Sequence, residues 1–196
     1  MGRRERKKEQ RKQIIMSSIL VFLMVASVFG IIVGNRTSEM RYGKYKFRIK
    51  DNYYVTKINN DEMPFYFLPQ QVDYINLSSI ITNKLREAFL VMITFNPKDY
   101  ANLQVIDVAR FDLSRFLGRS VYNGVLNTSE EYDLPVITCA NATLKTPVII
   151  FNVSDRATSP SIIDVNNCIY LNARGGDFLR LRDRLLYSYY GVIQDE

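Results

Sequence analysis

The chain contains no histidine and only two cysteines among its 196 residues. Imidazole-assisted serine and cysteine hydrolysis is thereby excluded, as are zinc sites that need imidazole. Two cysteines 29 positions apart cannot supply a four-thiolate site. There is no Walker loop and no Gly-x-Gly-x-x-Gly, and no serine sits in a nucleophile-elbow context. Chemistry by carboxylates alone stays open. No catalytic, cofactor or metal residue can be named, and the sequence leans away from an enzyme.

Two clusters carry charge at suggestive spacing. In "IDVARFDLSR", Asp107 with Arg110 and Asp112 with Arg115 are i,i+3 pairs, the pattern of ordinary ion pairing on a helix surface. In "NARGGDFLRLRDR", Gly175 and Gly176 precede a helix start, with Arg174 beside them and Arg180 one turn in. Free backbone N–H groups and the helix dipole make these four residues an anion-site candidate, against the plainer reading of a glycine turn.

Cys139 and Cys168 each lie in a β-type run, "VITC" and "CIYLN". Neighbouring strand ends would bring their Cα atoms within bridging distance, so a disulfide is expected, with two buried free thiols as the alternative. Sequons occur at Asn35, Asn76, Asn127, Asn141 and Asn152. Asn76, Asn127, Asn141 and Asn152 are the glycosylation candidates, Asn35 sitting close to the apolar segment.

The elements that position these residues follow from patterning. Residues 1–12 hold seven Lys/Arg against Glu5 and Glu9, so +5 of the formal +6 belongs to a tail. The rest is nearly neutral, which argues against a nucleic-acid partner. "IIMSSILVFLMVASVFGIIVG" carries no charge and has the length of a bilayer-crossing helix. Cleavage after Ser27 as a signal peptide is the alternative, and Arg6 blocks myristoylation of Gly2. The expected layout is a basic cytoplasmic tail (1–13), a transmembrane helix (14–34), a tether (35–42) and an extracytoplasmic α/β domain (43–196). The bilayer is then the first partner and another envelope protein the second.

"KYKFRIK" alternates as a strand with one wet face, and Asp51-Asn52 turns it into "YYVTKI". "LSSIITNKLREA" has helical spacing with Asn76 or Ser78 as N-cap, and "FLVMITF" suits a strand buried on both faces. Leu103, Ile106, Ala109, Leu113, Phe116 and Leu117 stripe a second helix that Gly118 stops. "PVIIFNV" and "SIIDVNNCIYLN" are β-branched runs. A last helix, capped by Asp177, has so wide an apolar arc that it must be largely buried. The class is α/β or α+β, a single domain with a mixed sheet covered by about three helices.

Three stretches, "LQVIDVARFDLSRFL", "LPVITCANAT" and "DFLRLRDRLLYSYYG", resemble motifs of an uncharacterised family of archaeal single-pass membrane proteins. The resemblance implies a basic tail, one N-terminal span and a small α/β domain, with no cofactor and no activity attached. The functional expectation is a membrane-anchored, extracytoplasmic binding or structural module of the cell envelope. The alternative is a tethered enzyme using carboxylates or an anion-binding helix N-terminus.

Overall fold

A computed structural model describes residues 3–34, 40–154 and 159–195. The chain divides into two units, residues 1–38 and 39–196. The first unit is one helix, α1 (Arg3–Gly34). Its first third carries the basic tail. The apolar side chains Ile14–Phe29, where described, are exposed.

Among the described residues no helix is long and apolar enough to cross a membrane. Side chains 30–39 lie outside the described residues, and so does Asn35. The expected transmembrane helix over 14–34 is corrected to a helix with a charged start and an apolar continuation. The signal-anchor, the single-pass topology, the bilayer partner and the outward-facing domain rested on that span and fall with it.

The second unit begins with an antiparallel meander, β1 (Met40–Tyr42), β2 (Tyr45–Lys50), β3 (Tyr53–Ile58) and β4 (Asp61–Phe65). Met40–Tyr42, expected in a tether, is thus a strand. The β2–β3 and β3–β4 turns are Asp51-Asn52 and Asn59-Asn60, all four with positive φ. Two-residue turns of this hand match strand twist, and Asn and Asp tolerate them best among residues other than glycine. The meander's inner face contributes Phe47, Ile58, Met63 and Phe65 to the core.

The larger sheet contains β5 (Leu90–Phe95), β6 (Ser120–Asn123), β7 (Val148–Val153), β8 (Ser161–Val165) and β9 (Cys168–Ala173), in the order β6-β5-β7-β9-β8. All pairs are parallel except β8–β9, so the sheet is mixed. "SIIDVNNCIYLN" is two strands, because Asn166 and Asn167 adopt positive φ and reverse the chain. "VITC" is not a strand. Val136 makes an isolated bridge to Val125, and Cys139–Asn141 is a 3-10 turn.

The two faces of this sheet are covered unequally. Val91, Ile93, Phe95, Ile149, Phe151, Ile169 and Leu171 join the main core. On that side lie α2 (Ser79–Glu87), α3 (Leu103–Phe116) and α4 (Asp177–Tyr189). Ser78 caps α2 by accepting the Ile80 N–H. Val148, Ile150 and Cys168 point the other way, into a small cluster with Ile137 and Cys139. A disulfide joins Cys139 to Cys168, Cα to Cα 5.7 Å, and pins the 124–147 connection to this thinly covered face.

α4 is the pivot. It packs on β9, and its Phe178 ring lies 5.5 Å from that of Phe151 in β7. Its Tyr187 stacks on Phe65 of the meander at 4.0 Å. Enclosed from both sides, α4 buries Arg182, Asp183, Arg184 and Ser188 along with its apolar residues. The fold is an α/β domain with a mixed sheet, several helices and a separate antiparallel meander.

Candidate functional site

Buried charge is expensive unless it is matched, so the α4 charges define where to look. Arg184 is committed through Nε and Nη1. It donates from Nε to the Ile75 carbonyl at 2.7 Å and from Nη1 to Asp195 at 2.9 Å, and it also bonds Ser188. Asp195 is shared with Ser188 and Thr82. This cluster ties the C-terminal segment to α2 and α4, and that is a structural task.

Arg182 and Asp183 are different. Asp183 Oδ2 accepts the backbone N–H groups of Tyr66 at 2.7 Å and Phe67 at 2.8 Å, where the chain leaves β4. Its Oδ1 accepts Arg182 Nη1 at 2.6 Å, and Nη1 also reaches the Pro64 carbonyl at 3.0 Å. Burial pushes the Asp183 carboxyl up to about 6, against the pull of Arg182 and the two N–H groups. The guanidinium lies between the rings of Phe116, Tyr66 and Phe65, 5.2, 5.4 and 5.6 Å from its carbon. Such contacts hold a cation without consuming its N–H donors.

Two donors remain. Arg182 Nε and Nη2 are buried and have no hydrogen-bond partner. Asp112 Oδ2 lies 3.3 Å from Nη2, close enough for ion pairing but not aligned as a hydrogen bond. Nε and Nη2 form one edge of the guanidinium fork, the edge that engages a carboxylate or phosphate side-on through two parallel bonds.

Arg182 lines a cleft of about 350 Å³ between the meander and α3, together with Lys50, Tyr53, Tyr66, Asp112, Arg115 and Phe116. That volume falls within the range of small-ligand sites. Its carboxylates are largely matched already. Glu62 binds Lys50 at 3.1 Å and also Arg48, and those cations hold its carboxyl below the usual range. Asp112 accepts the Tyr66 hydroxyl at 3.0 Å. Burial and the Asp112 charge raise the Tyr66 phenol, which therefore stays protonated and donates. Asp51 is exposed on the β2–β3 turn. Arg115 stands exposed at the mouth, its guanidinium over its own neighbour Phe116.

The residues singled out from the sequence are not gathered here. Gly175 donates its N–H to Asn102 at 2.7 Å, and the N–H groups of Asp177, Phe178 and Leu179 turn back onto residues 174–176. Arg180 pairs with Asp177 at 3.1 Å and lies 4.1 Å over the Phe67 ring, while Arg174 is exposed. Gly176 is the N-cap, and Asp177 is the first helical residue. Asn76, Asn127, Asn141 and Asn152 are all exposed. Asp107 pairs with Arg110 at 2.7 Å, whereas Asp112 pairs with Arg182 rather than Arg115.

Arg182 escaped the sequence reading although a signal existed. It lies i+4 from Phe178 and i−4 from Leu186, inside the apolar arc of its helix, where a charge has no ordinary reason to be. Asp183 gave no such signal, because besides the adjacent Arg182 its partners are backbone groups 116 and 117 positions away. Among the described residues no group of three or more His, Cys, Asp or Glu could hold a metal ion.

No protein-family model matches the chain. A search of curated proteins and a search of solved structures each found no match. The resemblance to an archaeal membrane-protein family therefore has no support beyond three short motifs. The α3 and α4 motifs are apolar-striped helices, a pattern that many folds share. The envelope-module function drawn from that resemblance and from the expected span is corrected with it.

Proposed function

We propose that the domain binds a small anionic molecule in the cleft between the meander and α3, with the Nε–Nη2 edge of Arg182 as its principal contact. The observation that carries this reading is the unpartnered edge of a fully buried arginine beside a cavity of ligand size. An unmet buried donor costs about 1–3 kcal/mol, and a ligand oxygen would relieve that cost. Lys50 and Arg115 at the rim add attraction, and Tyr53 and Tyr66 supply aromatic walls.

Calorimetric titration with small carboxylates and inorganic phosphate tests the proposal. Arg182→Lys keeps the charge but removes the fork, so binding should weaken at least about tenfold, equivalent to 1.4 kcal/mol, with the circular dichroism unchanged. Should that variant unfold, Arg115→Ala serves as the folded control and should weaken binding severalfold. Absence of binding to any of these anions defeats the reading.

A second reading takes the cleft as a reaction site. Asp112 lines the cleft and is touched by both Tyr66 and Arg182, so it is the carboxylate placed to accept a proton from a bound molecule. Asp112→Asn should then keep ligand affinity and lose turnover. A bound ligand recovered unchanged from the wild-type protein sinks this second reading alone.

A further inference from the structure

The cleft does not end at Tyr66. Tyr53 and Tyr66, an edge-to-face ring pair 5.2 Å apart, also line an adjoining trough of about 450 Å³. Its walls change character. Val105 and Val108 come from α3 and Leu179 from α4, with Gly175 and Gly176 at the far end. Val108 is 39% exposed, so the trough is apolar and open to solvent.

One helix organises both compartments. Val105, Val108, Asp112 and Arg115 recur at spacings of three and four along α3, so they lie on one face, with Gln104 beside Val105 at its edge. From Arg115 to Gln104 the helix rises roughly 16 Å. The polar end holds the buried Arg182 edge that makes no hydrogen bond, and the other end offers aliphatic side chains and bare glycine backbone.

The geometry points to an amphiphilic ligand: a carboxylate head on the Nε–Nη2 edge of Arg182, and an unbranched acyl chain laid past Tyr53 and Tyr66 over Val105, Val108 and Leu179. The proposal rests on the anion-binding reading of the cleft and adds the body of the ligand to it. Head and body are argued independently. The head follows from a fork edge whose Nε and Nη2 make no hydrogen bond, with Asp112 3.3 Å from Nη2 as an ion-pair neighbour, an edge that fits a planar carboxylate. The body follows from the exposed apolar stripe that continues from it.

The test compares acetate, hexanoate and decanoate, each below its micelle threshold, with decan-1-ol as the neutral control. Binding is followed on the full chain by methyl NMR of labelled Val, Leu and Ile. Decanoate should bind about 100-fold or more tighter than acetate, because each methylene covered by apolar surface adds a severalfold gain. The methyl signals of Val105, Val108 and Leu179 should move saturably. Val108→Asn should reduce the gain with chain length, so that the decanoate and acetate affinities converge. Equal affinity for acetate and decanoate overturns the acyl chain while leaving the anion site standing. Decan-1-ol binding as well as decanoate, or signals moving only within residues 14–29, overturns the proposal too. No response to acetate and none to decanoate removes both readings together.

Discussion

Two clusters on opposite sides of α3 contain the same three residue types and behave differently. Asp107, Arg110 and Tyr132 form one, Asp112, Arg182 and Tyr66 the other. In the first, Arg110 donates to Asp107 Oδ1 at 2.7 Å and the Tyr132 hydroxyl donates to Oδ2 at 3.0 Å. The Arg110 guanidinium also covers the Phe95 ring at 5.2 Å and the Tyr132 ring at 5.9 Å. That set is partly exposed and closed upon itself. In the second, the arginine comes from another helix, is wholly buried, and keeps two donors without partners beside a cavity. Residue type is therefore a poor guide to function here. Burial and unfinished hydrogen bonding separate a surface ion pair from a candidate site.

Removing each arginine is the strongest way to break the comparison. Arg182→Ala strands Asp183 in the core and should destabilise the domain by about 3–5 kcal/mol in denaturant unfolding. Arg110→Ala should cost no more than about 1 kcal/mol, since water can take over its partners. Equal losses would mean that the two clusters are energetically alike.

Acid titration addresses the same contrast. The Asp183 carboxyl is raised in the fold, so the folded state holds its proton more tightly than the unfolded chain does. The stability this contributes is complete below the ordinary carboxylate value near 4, and it is lost as the pH rises through about 6. Wild-type stability should therefore fall relative to Asp183→Asn between pH 4 and pH 6.5. A difference that stays flat across that window removes the claim that burial dominates at Asp183.

The tyrosines give a smaller effect. Tyr66→Phe should cost about 1.5–2 kcal/mol and Tyr132→Phe about 1 kcal/mol, since each loses a hydrogen bond to a carboxylate and Tyr132 is the less enclosed. Burial, with the Asp107 hydrogen bond, pushes the Tyr132 phenol up to about 12, which ultraviolet titration can follow. Smallest of all is Arg115→Ala, which should change stability by less than about 0.5 kcal/mol because Asp112 is paired elsewhere. A larger loss would show that the i,i+3 partnership with Asp112 operates in solution.

Much of the local structure was legible in the residues themselves. The Asp51-Asn52 turn, the Ser78 cap and the α3 stripe depend on neighbours within a few positions and appear as expected, and the alternation of "KYKFRIK" holds for Tyr45 and Phe47 but not for Ile49, which is exposed. Asn166-Asn167 carries the same turn chemistry as Asp51-Asn52 and divides the "SIIDVNNCIYLN" run into β8 and β9. The α2, β5, α3 and β7 segments were recognisable for the same local reason. Residues 14–34 show the limit of reading composition as environment. A charge-free run gives length and polarity, and the membrane span inferred from it is not present among the described residues.

The sequence by itself determined where α2, β5, α3 and the Asp51-Asn52 turn fall, because propensity, periodicity and capping act over a few residues. It also determined which chemistry is missing, since a chain without histidine cannot assemble an imidazole site. Only the tertiary structure decided that β8 runs antiparallel at the sheet edge, that "VITC" is bridge and turn, and that α4 is enclosed from two sides. It also decided that Asp112 meets Arg182 from 70 positions away instead of Arg115 from three. The physical reason is shared. Burial and hydrogen-bond completion are set by what packs against a side chain, and for Arg182 and Asp183 those neighbours come from the meander and α3.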